Sequence, residues 1–428
     1  MTEPLDALAL YAATASAEGH SALHLADAAL ALEAGLRTSE GQALRRFSER
    51  IERSPLQRAQ LFASALRLTE IDDIHRPSAV TAGAIALPAV LAMRGVAPEA
   101  ETQRLGAAFH VGQELSIRLA MALGGAGLLT KGLWPSYLVA PFGAAAAAGR
   151  VLGLSAERMR HALALALSQT PQAIGRSVGA RPGRWLLFGN AVRAGCLAAL
   201  AAADGIDGDP GLLTADWLVR SGGPPAPDWL TVEMPLSAAL SIKPHAAAKQ
   251  TLAAIEGLRW MLADGIDPGA IETIEVAVPR AYAAMVDREP PDASRIASLI
   301  SLRGQLALTA LRPDLLDDVG RARFVWDAAL QAFAARVTVV ADPDLDALYP
   351  ACWPARLRLR ARGREREILV ADSPGDPALP YGPAELEDKA RRVLGDAGPA
   401  LARLALDALT APAAFDRLCR HVEAGLES

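Results

Sequence analysis

Over residues 1–242 the apolar positions recur at helical spacing, one segment after another. Ala22 to Leu36 carries Leu23, Leu30 and Leu32 and is expected to break at Gly35, a glycine suited to a helix C-terminus. Ser155 is placed to cap a helix in which Met159, Leu163 and Leu167 share one face at i, i+4, i+8. Small residues dominate Ala140 to Ala148 and Ala191 to Ala203. Helices with so little side-chain bulk are expected to pack closely inside a multi-helix core.

Then the period changes. Ile274, Val276 and Val278 alternate with Thr273, Glu275 and Ala277 until Pro279, which predicts a strand. Ala335 to Val340 predicts another. Arg356 to Arg360, a turn at Arg362-Gly363, and Arg366 to Val370 predict a hairpin with one polar face. Helical patterns at Ala246 to Ala263, Ser301 to Leu311 and Trp326 to Ala334 lie between them. Asp372 to Pro383 reads as a Pro/Gly-rich linker, and helix resumes from Ala384. The expected fold class is mainly α, a large all-helical body with an inserted smaller α+β lid domain. The body covers 1–242 and is rejoined by 384–428; the lid covers 243–383. A ligand cleft is expected between them.

Composition narrows the function classes. Of 428 residues 51% are hydrophobic and 21% charged, enough to bury a large core. Lys and Arg number 43 against 48 Asp and Glu, no half is a basic block, and aromatics are 5%, so a nucleic-acid partner is not expected. The apolar stretch from Tyr137 to Gly149 is shorter than the ~20 residues that cross a bilayer, so no membrane association is expected. Cys196, Cys352 and Cys419 are odd in number and widely spaced. That argues against a disulfide framework or a structural zinc and for a cytoplasmic setting. The first residues lack the basic and apolar regions of a signal peptide. Gly124 to Gly127 follows no strand, so it makes no dinucleotide fingerprint.

Several blocks, in order along most of the chain, carry a family resemblance. Glu70-Ile-Asp-Asp-Ile-His-Arg-Pro-Ser78 is similar to an Asp-x-Asp-Asp-Thr-His segment. Gly112-Gln-Glu-Leu with Arg118-Leu, Lys131-Gly-Leu-Trp-Pro-Ser136 and Phe142-Gly-Ala-Ala-Ala-Ala147 resemble three further blocks. Arg184-Trp-Leu-Leu-Phe-Gly189, Lys243-Pro-His, Asp342-Pro-Asp-Leu, Trp353-Pro-Ala and Pro374-Gly-Asp-Pro complete the series. Together they resemble the MmgE/PrpD family, which includes 2-methylcitrate dehydratase, cis-aconitate decarboxylase and iminodisuccinate epimerase. The resemblance implies a homodimer with a cleft between helical body and lid, no metal or organic cofactor, and a small carboxylate-bearing substrate. Proton or carboxylate removal next to a carboxyl group needs a base of near-neutral pKa and cations for the developing charge.

The departures fall on the chemistry. By the resemblance, family histidines align with Thr81, Trp134 and Leu252, a lysine with Arg184, a tyrosine with Gly304, and the leading aspartate with Glu70. Indole donates a hydrogen bond but exchanges no proton near neutral pH. Asp73, His75, His245 and Lys243 remain as candidate catalytic groups. Glu70, Asp72, Arg76, Lys131, Trp134, Arg184, Lys249 and Arg303 are candidate substrate-binding residues, and Arg176 and Arg181 extend the set of cations. Each also has a plainer reading: a helix-end charge network for the acidic cluster, a packing or interface role for either histidine, a surface charge for some cations. Two functions follow. One is a divergent, cofactor-independent lyase or isomerase, possessing a changed pocket suited to a specialised biosynthetic pathway. The alternative is a non-catalytic descendant that binds a ligand or partner through the inherited cleft.

Overall fold

The computed structural model describes residues 4–51, 54–170, 183–221, 227–232, 234–289, 295–320 and 326–427. Arg176 and Arg181 lie outside the described residues. Within them the chain is mainly α, with one small four-stranded sheet and a two-stranded pairing.

One apolar core runs from Leu5 to Leu240, takes in Ala246, Leu299 and Val319, and is rejoined by Leu386 to Val422. Its central helices are Ser21–Leu36, Pro55–Leu66, Gly83–Arg94, Thr102–Ala122, Pro135–Leu152 and Gly183–Ala203. The small-residue stretches do pack at close range. A Cβ added at Gly112 would come within 2.8 Å of Ala147 Cβ, so the helices Thr102–Ala122 and Pro135–Leu152 leave no room for a side chain there. Gly35 departs from expectation: the helix continues past it to Leu36 and is capped at Arg37. The glycine is there because a Cβ would collide with the Ala65 carbonyl of the crossing helix. Gly183–Ala203 is apolar and long enough to cross a bilayer by composition, but half of that stretch is buried, packed on Pro135–Leu152 and Pro55–Leu66. Ser155 caps as expected, its hydroxyl accepting from the Arg158 N–H, and Met159, Leu163 and Leu167 are buried.

A second core spans Ala247 to Val370. Its sheet has the order Val337–Ala341, Ile271–Val278, Ala355–Ala361, Arg364–Val370, the first pair parallel and the others antiparallel. Arg362 and Gly363 both have positive φ, 49° and 70°, the turn that matches the twist of a two-residue hairpin. Leu357 and Leu359 face the helix Lys249–Ala263, while Arg358 pairs with Glu367 and Arg360 with Glu272 on the wet face.

Segments distant along the chain are joined by contacts that no local pattern announces. Ile74–His75 pairs antiparallel with Leu240–Ser241, in register Ile74 to Ser241. Lys389, wholly buried on the helix Pro383–Leu394, binds Asp27 and the Ile71 carbonyl. The stretch after Asp372, expected to be a linker, folds inward instead. Ser373 and Asp376 are buried, and the Gly375 carbonyl accepts from Ile242 N–H at 2.8 Å.

Candidate active site

Residues from both cores line a cavity of about 560 Å³. Two long helices begin at its wall: Trp134 and Ser136 stand at the start of Pro135–Leu152, and Lys249 at the start of Lys249–Ala263, while Arg184 reaches the wall from the helix Gly183–Ala203. The positive ends of these two helix dipoles therefore lie at the same wall, which favours an anion.

Side chains add to that field. The Glu70 carboxylate accepts from Lys243 Nζ at 3.3 Å and lies 3.5 Å from Arg67 and 3.6 Å from Arg184. Lys243 also donates to the Glu70 carbonyl at 3.0 Å and sits 3.6 Å from Asp72, which is paired with Arg67. Burial pushes the Glu70 carboxyl up, but Arg67, Lys243 and Arg184 outweigh it and bring its pKa down to about 2. Glu70 is thus an ionised acceptor and no base at neutral pH. Arg184 lies over the Trp185 ring at 3.9 Å and near Trp134 at 5.3 Å, so its plane is held by two indoles.

Lys249 has a different setting. Its ammonium donates to Ser373 Oγ at 2.7 Å and to Asp376 at 2.8 Å. Burial lowers its pKa below the usual lysine value, with Asp376 limiting the fall. Glu70 and Ala79, at φ 59° and 55°, hold the left-handed backbone region that non-glycine residues avoid, and both line the cavity.

A family model for the MmgE/PrpD N-terminal domain matches residues 9–221, and one for the MmgE/PrpD C-terminal domain matches residues 245–409. The chain belongs to the MmgE/PrpD family. Cis-aconitate decarboxylase of Homo sapiens is 32% identical over 152 residues, 35% of this chain and 31% of that protein. Cis-aconitate decarboxylase of Aspergillus terreus is 33% identical over 165 residues, 37% of this chain and 33% of that protein. The matched stretches thus span about a third of the length of these relatives.

Within this MmgE/PrpD fold the residues singled out from sequence separate into groups. Glu70, Trp134, Arg184, Lys243 and Lys249 line the cavity together. Asp72 stands behind them, on Arg67 and Lys243. Asp73 is buried away from the cavity, where both its oxygens accept from Gly83 N–H at 3.0 Å. Burial, then Asp27 and Asp72, raise its pKa to about 8. Arg76 pairs with Asp372 at 2.7 Å and Asp376 at 3.3 Å, Arg303 with Asp287 at 2.9 Å, and Lys131 is exposed; none of the three lines the cavity.

Neither candidate histidine reaches the cavity. His75 is held in the short strand pairing, its Nδ1 bonded to Ser78 Oγ at 2.9 Å, and burial lowers its pKa to about 3. His245 is clamped between Asp317 at Nδ1 and Glu256 at Nε2, each 3.0 Å away, beside a separate depression that includes Arg392 and Tyr381. Burial works against its imidazolium, but Asp317 and Glu256 raise its pKa overall. Two positions that align with family histidines, Thr81 and Trp134, do line the cavity, while Leu252 is packed in the second core. Sequence reasoning passed over Arg67 as a lining residue and Asp376 as the partner of Lys249. Arg67 stands three residues before Glu70, a spacing that places the two together on one helical turn.

Proposed function

We propose that this chain is a cofactor-independent lyase or isomerase acting on a small carboxylate-bearing metabolite. The observation that carries this reading is the convergence of Arg184, Lys243 and Lys249, with two helix N-termini, on one cavity of an MmgE/PrpD fold. Arg184 and Lys243 hold the substrate carboxylate, and Glu70 and Asp72 keep both cations in place. Lys249, as its neutral amine, takes the proton from the carbon next to that carboxylate. The C–H electron pair moves into the carboxylate oxygens as enediolate charge, which the two cations stabilise. Departure of a β-substituent with its bonding pair, protonated by the Lys249 ammonium just formed, then gives a lyase; return of that proton to the other face of the carbon, after the planar intermediate has turned over, gives an isomerase. Asp376 and Ser373 orient the amine and take no part in the proton transfer. In this scheme His75, His245 and Asp73 serve the fold.

Solvent-deuterium exchange tests the scheme. Candidate carboxylates, cis-aconitate and 2-methylcitrate among them, are incubated in D2O and followed by proton NMR, together with product analysis. Lys249→Met should lower exchange about a hundredfold or more, the usual size of a general-base contribution, with ligand binding retained. Exchange within threefold of the parent would remove Lys249 from the role. The second reading, a binder without catalysis, is favoured by Thr81 and Trp134 standing where the family carries imidazoles. Thermal stabilisation without exchange for every ligand would support it.

A further inference from the structure

The cavity is lopsided in charge and polarity, and that limits what fits. In the resting state, where Lys249 is the ammonium paired with Asp376, Arg67, Arg184, Lys243 and Lys249 bring four positive charges and Glu70, Asp72 and Asp376 three negative ones, so among the described residues the cluster carries a surplus of one. Arg288 and Glu289, also at the wall, cancel one another. The rest of the lining is largely hydrocarbon. Ile74, Leu129 and Trp353 belong to a small apolar cluster of their own. Met285, Ile296 and Ile300 supply a second apolar stretch from the chain preceding the helix Leu302–Leu311. The volume, about 560 Å³, falls within the range of pockets that take ligands of drug size, about 300–1,000 Å³.

The geometry points to a ligand with a single carboxylate at one end and an alkyl or aryl arm at the other. This rests on the reading above that the cavity is the binding site, and it names the substrate class for it. The carboxylate meets the Arg184 fork, which the flanking Trp185 and Trp134 rings hold in one plane, and Lys243 Nζ. One negative charge neutralises the surplus. A tricarboxylate would bring two more, and beyond the cluster the described wall offers them only the neutral groups of Thr81, Ser136 and Gln250 and an Arg288 whose charge Glu289 offsets; a buried charge without a matching cation is costly. The arm runs along Met285, Ile300 and Trp353, where apolar area leaves water on binding.

Isothermal titration calorimetry on the full chain tests this without requiring turnover, using propionate, pentanoate, heptanoate, 3-phenylpropionate and tricarballylate as probes. Affinity should rise about threefold to fourfold per added methylene, the factor expected for burying a CH2 group. 3-Phenylpropionate should bind at least tenfold more tightly than tricarballylate. Ile300→Asn, its fold checked by circular dichroism, should flatten the dependence on chain length, and Arg184→Gln should weaken all the monocarboxylates alike. A flat series in the unaltered protein, tighter binding of tricarballylate, or no binding of any probe would overturn the assignment. The outcome is separable from the catalytic reading. Length-dependent binding with no deuterium exchange ends that reading and keeps the ligand class, while exchange confined to polycarboxylates does the reverse.

Discussion

Glu70 is the residue whose charge state most directly ties the fold to the cavity, and Glu70→Gln isolates that charge while keeping the side-chain shape. In the native protein three cations stand within 3.6 Å of its carboxylate. They bring its pKa from 4.5 to about 2 against the opposing effect of burial. At about 1.36 kcal/mol per pKa unit, that difference corresponds to roughly 3 kcal/mol of stability. Removing one partner of a buried ion pair costs about 3–5 kcal/mol in other proteins, which agrees. The sign follows from the direction of the shift. The folded pKa lies below the unfolded one, so the contribution is fully present above pH 4.5 and disappears as pH falls toward 2. Urea unfolding followed by circular dichroism, at pH 7 and at intervals down to pH 3, should therefore show Glu70→Gln about 3 kcal/mol less stable at pH 7. The gap to the parent should narrow on acidification. The same variant should bind a carboxylate more tightly near neutral pH, because the resident anion that competes for Lys243 and Arg184 is gone. A gap below 1 kcal/mol at pH 7, or one that widens as pH falls, would refute the claim that this carboxylate neutralises the cationic wall.

Other residues give sharper readouts of single features. Asp73, with its pKa raised to about 8 by burial, Asp27 and Asp72, is protonated in the folded chain across a range where the unfolded chain is ionised. The parent should lose stability as pH rises from 4 to 8, and Asp73→Asn should gain on it steadily over that interval in urea titrations. Gly35→Ala forces a methyl into the Ala65 carbonyl and should cost about 1–3 kcal/mol or more, seen as a lower thermal midpoint with unchanged helical signal at 20 °C. Lys389→Met leaves Asp27 buried without its cation and frees the Ile71 carbonyl; a loss of about 3–5 kcal/mol is expected in urea unfolding.

The chemistry of the wall was partly legible and partly hidden, and the difference has a clear cause. Arg184, Lys243 and Lys249 stood out because each sits in or beside a short block matching the family. That they meet at one cavity is a matter of tertiary packing. The same blocks offered His75 and His245 with equal force, yet packing directs one onto Ser78 and the other between Asp317 and Glu256. Arg76 and Arg303 were equally plausible cations, and acidic neighbours at Asp372 and Asp287 take them.

What the amino-acid order determined by itself is whatever depends on a few successive residues. Helical periodicity, the Ser155 cap, the alternation at Ile274 to Val278 and the Arg362-Gly363 turn are set by backbone geometry and by side chains within a turn of one another. The tertiary structure decided which of the polar groups face inward. Lys249 and Asp376 are 127 residues apart, and Lys389 and Asp27 are 362 apart. Nothing local distinguishes the Pro/Gly-rich stretch after Asp372 from a solvated linker. It becomes part of the site because Ile242 binds its Gly375 carbonyl and the buried Lys249 ammonium requires an anion there. Pairing of that kind depends on the assembled shape of two cores, and the assembled shape selects which polar groups face the cavity.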